Sequence, residues 1–234
     1  AGTRADRDVE YDEHADGFDA ATVRRQGADA SACLAACSDT FDGLLECVAA
    51  RGSIAAVTVS ARSSFVVCDD GGVLCWGGGD VGELGVDHPG VLEEDSDGSL
   101  LCRVPRPPSR LMDTPIAQLS ASMHVLAVST RGELYVWGCA ASGVLGLGPP
   151  ESMDHLPEYD RGIRLQPYPV ALPALAGVGV RAVAAAERHS LAVTASGQTL
   201  AWGCGMLGRL GVPAGELTTI DGSLLSLVDG CGAR

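Results

Sequence analysis

Aromatic side chains are scarce in this sequence, at 4% of 234 residues, so a core cannot rest mainly on Phe, Tyr and Trp. With 46% hydrophobic residues and 31 glycines, the interior must come from Val, Leu, Ala and Ile, with backbone segments brought close at glycine. Short strands and tight turns suit that composition. Basic residues are also few: 16 against 30 acidic ones leave a formal charge of −14, which repels a phosphate backbone unless a local basic stripe offsets it. The densest basic stretches, Arg24-Arg25 and Arg103 to Arg110, are sparse and broken by Pro or acidic neighbours. This argues against direct nucleic-acid binding.

No apolar run is long enough to span a bilayer, and the N-terminus lacks the charged-then-apolar pattern of a secretory signal. A soluble chain with no membrane span is the expectation. The nine cysteines are odd in number, so they cannot all pair within one chain. Most, including Cys68, Cys75, Cys139 and Cys204, sit in apolar or Gly-rich runs where a reduced thiol acts as a small hydrophobe. An intracellular, reducing compartment follows, with nothing to separate nucleus, cytosol, organelle and cytoskeleton.

Each tryptophan is followed by glycine, at Trp76-Gly77, Trp137-Gly138 and Trp202-Gly203, spaced 61 and 65 residues apart. Five residues before each Trp stand Gly71, Gly132 and Gly197; six after stand Gly82, Gly143 and Gly208. Eight and nine after come Leu84-Gly85, Leu145-Gly146 and Leu210-Gly211. Ahead of each turn lies a period-two run, namely Ser64 to Cys68, Val125 to Ser129 and Ser190 to Thr194, which reads as a strand. Turns of small polar residues and Gly follow, and a second strand then enters each Trp. A further apolar strand precedes each hairpin, at about Ile54 to Val59, Ile116 to Leu119 and Val180 to Ala185. Units of several strands that themselves repeat describe radial sheets packing on one another. The predicted class is all-β, with propeller blades of short antiparallel strands.

Residues 189 to 211, His-Ser-Leu-Ala-Val-Thr-Ala-Ser-Gly-Gln-Thr-Leu-Ala-Trp-Gly-Cys-Gly-Met-Leu-Gly-Arg-Leu-Gly, resemble a repeat of the regulator of chromosome condensation propeller family. His124 and His189 both stand thirteen before their Trp, where that family usually has His. The resemblance covers about 54–86, 115–148 and 180–212. Ser63 replaces the His in the first copy; Ser60, Ala121 and Ala186 replace a usual Gly; Gly79, Ala140 and Gly205 replace a frequent Asn. Weaker polar ties within each blade are expected from these departures. Because the family closes a ring of more than three blades, the resemblance implies a partial ring: part of a longer protein, or an arc completed by a partner.

Residues 1–50 read as an acidic arm or linker, with short helices or a divergent blade in its second half; residues 51–234 hold the repeats. Extra length at 87–110 and 149–172 reads as insertions between blades, lying on the surface. Glu93, Glu94, Asp95 and Asp97 of the first, and His155 and Tyr159 of the second, are the candidate partner contacts.

Signs of chemistry are formal only. Gly77 to Gly82 and Gly203 to Gly208 satisfy G-x-G-x-x-G, but each follows a hairpin and recurs with the repeat, so the glycines read as turns and no cofactor is expected. Cys33, Cys37 and Cys47 with His14 lack a C-x₂-C knuckle, which leaves buried thiols as the reading and no metal site. Asp95-Ser96-Asp97-Gly98 is too short for a calcium loop. His124 and His189 occupy one repeat position and have no accompanying nucleophile, so a structural hydrogen bond within each blade is expected rather than catalysis. The functional expectation is a non-catalytic interaction scaffold in a large assembly, binding other proteins. The alternatives, taken from the family resemblance, are nucleotide exchange on a small GTPase and substrate recruitment for a ubiquitin ligase.

Overall fold

A computed structural model describes residues 48–86, 92–94, 96–148, 153–159, 163–211, 219–220 and 223–228. Three antiparallel sheets follow one another along the chain. Blade 1 comprises β1 (Ile54–Val59), β2 (Ser63–Cys68), β3 (Val73–Gly78), β4 (Glu93–Glu94) and β5 (Leu100–Arg106), in the order β1-β2-β3-β5-β4. Blade 2 repeats this with β6 (Ile116–Ala121), β7 (His124–Ser129), β8 (Leu134–Cys139), β9 (Glu158–Tyr159) and β10 (Ile163–Ala171), in the order β6-β7-β8-β10-β9. Blade 3 is β11 (Val180–Ala185), β12 (His189–Thr194), β13 (Thr199–Gly203), β14 (Thr219–Ile220) and β15 (Ser223–Val228), in the order β11-β12-β13-β15-β14.

The three strands expected in each copy are present, and so is their register. Ser64 faces Trp76 across β2 and β3, Val125 faces Trp137, and Ser190 faces Trp202. The stretches 87–110 and 149–172 depart from expectation. They are not simply loops between blades: they supply β5 and β10, the fourth strand of each sheet, with β4 and β9 as short outer partners. Both long strands carry prolines where the ladder skips, Pro105 opposite the break between Cys75 and Gly77, and Pro167 and Pro169 between Gln166 and Val170. A proline removes a ladder donor and belongs at such a bulge.

The core lies between sheets. Phe65, Cys75, Leu84 and Cys102 of blade 1 pack with Ile116, Leu119, Val125 and Trp137 of blade 2. Leu126, Val136, Val144 and Leu145 of blade 2 pack with Val180, Val183, Ala192 and Trp202 of blade 3. Middle strand β7 is therefore buried along its whole length, against a neighbour on each side. Each fully buried Leu or Val contributes about 1.5–3 kcal/mol, so packing between blades is a large part of what holds them in place.

Residues 48–51 form a single helical turn whose Val48 packs on Val66, Cys68, Leu74 and Trp76. The remainder of the 1–50 arm, including Cys33, Cys37, Cys47 and His14, lies outside the described residues, as do Asp95 and much of 212–234.

Candidate interaction surface

The repeated glycines have a geometric cause. Gly77, Gly138 and Gly203 adopt φ of 104°, 98° and 105°, and a Cβ there would stand 2.4, 2.8 and 2.7 Å from the carbonyl oxygens of Arg62, Met123 and Arg188. Each closes its hairpin against the strand before it. Gly85 and Gly146, at φ 69° and 67°, do something different: they lie flat against the indoles of Trp137 and Trp202 in the following blade. The glycines six after each Trp fall in tight turns, and those of blades 2 and 3 lie in 3-10 turns at Ala141–Gly143 and Met206–Gly208. The G-x-G-x-x-G segments thus leave a strand and enter these turns.

Two of the three tryptophans are inter-blade ties. Trp137 Nε1 donates to the Glu83 carbonyl of blade 1 at 2.8 Å, and Trp202 Nε1 donates to the Val144 carbonyl of blade 2 at 2.7 Å. Glu83 and Val144 stand seven after their own Trp, between the repeat Gly and the Leu-Gly pair, and because the main chain accepts the bond it does not depend on the side-chain type there.

His124 also works between blades, correcting the expectation of a bond within one. Its Nε2 lies 2.7 Å from Ser190 Oγ on blade 3. Ser190 in turn donates to the Val144 carbonyl at 2.8 Å, so its hydroxyl accepts from the imidazole N–H. The ring is fully buried and its Nδ1 has no partner, which fits a neutral imidazole with its proton on Nε2. Burial, with a smaller contribution from His189, lowers its pKa to about 4. His189, the matching residue of blade 3, is half-buried.

At the first junction Ser63 replaces His, and a buried carboxylate, Glu83, fills in. Ser63 Oγ donates to the Gly78 carbonyl at 2.8 Å and lies 3.4 Å from Glu83 Oε1, while the Val81 amide donates to Oε2 at 3.0 Å. Burial raises the Glu83 pKa above the usual carboxylate value, against the lowering effect of its own and the Val81 amide and of Arg62.

Near the inner strands the blades exchange further polar contacts. Gln118 bonds the Val183 amide and carbonyl at 3.0 and 3.3 Å, Ser120 Oγ accepts from the Ala185 amide at 2.9 Å, and Thr58 Oγ1 donates to the Leu119 carbonyl at 2.9 Å. Sequence reasoning missed these, as it missed Glu83 and Ser190. Polar residues at interior-facing strand positions were the available signal.

The candidate contact residues fall at matching places on two blades. Glu93 and Glu94 form β4 and are exposed; Tyr159 belongs to β9, where its neighbour Glu158 is exposed. Asp97 and His155 are exposed beside them. Both hairpins are the outermost edges of their sheets, held by ion pairs of Glu93 with Arg103 (3.2 Å) and Glu158 with Arg164 (3.0 Å). Charged two-residue edges resist pairing with another strand, so they present side chains rather than open backbone.

Among the described residues, no group of three or more His, Cys, Asp or Glu is placed to hold a metal ion, and no helix is long and apolar enough to cross a membrane. Cys68, Cys75, Cys102 and Cys139 are buried and in no disulfide, and burial pushes the pKa of Cys68, Cys75 and Cys139 upward, away from reactive thiolate.

Comparison with known proteins agrees with this architecture. The regulator of chromosome condensation (RCC1) repeat model matches residues 131–193, from the blade 2 hairpin into β12. The human E3 ubiquitin-protein ligase HERC2 is 35% identical over 150 residues, covering 64% of this chain and 3% of the ligase. The ultraviolet-B receptor UVR8 of Arabidopsis thaliana is 32% identical over 191 residues, covering 77% of this chain and 38% of the receptor. The crystal structure of Prp20p from Saccharomyces cerevisiae superposes with a TM-score of 0.56 at 23% identity, covering 76% of this chain and 39% of that one, a likeness of fold alone. The chain spans well under half the length of each. With its Trp-Gly and Leu-Gly offsets, its three like sheets and this match, the chain is built of RCC1 repeats in consecutive β-propeller blades.

Proposed function

We propose that this chain is a non-catalytic protein-interaction scaffold, a subunit of a large intracellular assembly whose partners are other proteins. One observation carries the reading: among the described residues, His124, Ser190 and Glu83 are committed to joining blades and shut from solvent, while acidic residues of the two long stretches stand exposed on the outer hairpins. His124 and Ser190 form a pair that superficially suits nucleophilic catalysis, yet both are 0% exposed and no substrate can reach them. Blades welded by main-chain acceptors provide a rigid frame, and variable hairpins on a rigid frame are where recognition is commonly placed. With a net charge of −14 and Glu93, Glu94, Asp97 and Glu158 at the rim, a basic protein surface is the partner chemistry that fits. The solved Prp20p structure is titled for its binding to Gsp1p and histones, which supports protein partners for this fold.

Native purification from the source cell, with mass spectrometry of the intact chain and its companions, tests the proposal. Stoichiometric co-elution with other proteins is expected; a chain that elutes alone would contradict it. The likeness to HERC2 favours a second reading, substrate recruitment within a ubiquitin ligase, for which the same experiment would find ligase sequence in the intact chain. Exchange on a small GTPase rests on fold analogy alone; it requires that purified protein accelerate release of labelled nucleotide at sub-stoichiometric amounts.

A further inference from the structure

The outer hairpins of blades 1 and 2 are not held alike. In blade 1 the turn after Trp76 grips the hairpin: Asp80 Oδ1 accepts from the Leu100 amide, and the Gly79 amide donates to the Leu100 carbonyl at 2.8 Å. Leu100 opens β5 and stands opposite Glu94, so both main-chain polar groups of that residue are anchored to the turn. The second oxygen of Asp80 meets Arg62 Nη1 at 2.7 Å, and the carboxylate side chain is only 10% exposed. Gly79 is fitted to the same hairpin, since a Cβ there would stand 3.1 Å from Leu92 Cδ2, just ahead of β4.

Blade 2 keeps the main-chain bond alone. The Ala140 amide donates to the Arg164 carbonyl at 2.9 Å, but Ala141 stands where blade 1 has Asp80, and Met123 where it has Arg62. The side-chain pairs of its hairpin run from Arg164 to Glu158 at 3.0 Å and Asp154 at 3.5 Å, and both acids are more than half exposed. Blade 3 has Arg188 at the arginine position and Met206 at the acid position, and Arg188 turns to Glu187 instead. Ion pairs in open solvent fix geometry weakly, whereas a shielded carboxylate that accepts a main-chain amide fixes it firmly.

We propose that Asp80 is the positioning residue of the recognition surface, and that the blade 1 hairpin, with Glu93 and Glu94, takes up a basic partner in preference to the blade 2 hairpin, a proposal that rests on the scaffold reading above. A hairpin fixed before contact loses less freedom on binding, so its charges meet a basic surface at lower entropic cost.

Octalysine, coupled to surface carboxylates of the full chain by a zero-length carbodiimide, tests this. Peptide mass spectrometry should find amide links several-fold more often at Glu93 and Glu94 than at Glu158. Asp80→Ala leaves those three carboxylates in place, yet it should abolish the preference and strip hydrogen-exchange protection from the Leu100 amide while the Ala140 amide keeps its own. Arg62→Met, which gives blade 1 the residue that blade 2 carries, should lower the preference in the same direction and carries the test if Asp80→Ala fails to fold. Equal labelling of the two hairpins in the parent, or an undiminished preference in the folded variant, would overturn this proposal and leave the scaffold reading standing. A parent labelled at neither hairpin above its other surface carboxylates would overturn both.

Discussion

The indole of Trp137 in blade 2 donates its hydrogen bond to the main-chain carbonyl of Glu83 in blade 1, at 2.8 Å, and is fully buried in doing so. The equivalent bond from Trp202 reaches Val144, but that carbonyl also accepts from Ser190. The two tryptophans should therefore respond unequally. Trp137→Phe removes the indole donor and leaves a buried acceptor, a cost of about 1–3 kcal/mol beyond lost packing. Trp202→Phe leaves Ser190 on its acceptor and should cost less, as denaturant unfolding of both variants would measure.

Glycines at the same conformation should also differ. Gly85→Ala must place a Cβ 2.8 Å from Trp137 Nε1, whereas Gly143→Ala meets nothing within 4 Å. Both adopt a left-handed backbone, φ 69° and 72°, which costs a residue with a Cβ roughly 1–2 kcal/mol. The expected result is that Gly143→Ala loses about that amount and Gly85→Ala clearly more, with a changed Trp137 fluorescence signal only in the latter.

Acid should loosen the junction of blades 2 and 3. His124 has a folded pKa of about 4 against an ordinary 6.5, so above pH 6.5 both folded and unfolded chains hold it neutral and no penalty arises. As pH falls, the unfolded chain binds the proton first and stability is lost, by roughly 3 kcal/mol once pH 4 is reached. Protonation also places an N–H on Nδ1, which has no acceptor. His124→Phe should be less stable than the parent at pH 7.5, through loss of the bond to Ser190, yet its stability should fall less between pH 6.5 and 4.

Glu83 acts in the opposite sense. Its raised pKa means that its contribution is present in full below its unfolded pKa and is lost as pH rises through the folded one. Glu83→Gln should therefore gain stability relative to the parent at pH 8, with the difference vanishing near pH 4. A pH-independent difference would show that folding leaves the Glu83 carboxyl's affinity for its proton unchanged.

The repeat frame was legible because glycine at positive φ has few substitutes, and a Trp that must reach a fixed carbonyl cannot drift along its strand. Two things were hidden. The fourth strands β5 and β10 contain Pro105, Pro167 and Pro169 at breaks in their ladders, and proline inside an apolar run reads as loop. The direction of the Trp and His124 bonds was hidden too, since position within a repeat tells which residue recurs but not whether it faces its own sheet or the next. The acceptors Glu83 and Val144 share no side-chain type, so the part of the junction made by main chain leaves no residue pattern to find.

The scaffold reading is tested most directly by quantitative co-purification of the full chain with Glu93→Lys and Glu94→Lys together, compared with the parent protein. Both side chains are exposed on β4, and the Glu93–Arg103 pair that the change removes is solvent-exposed and of little weight, so the variant should unfold at close to the denaturant concentration of the parent. The account predicts that folding is kept while protein partners are lost. Full retention of every partner by the folded variant would contradict it.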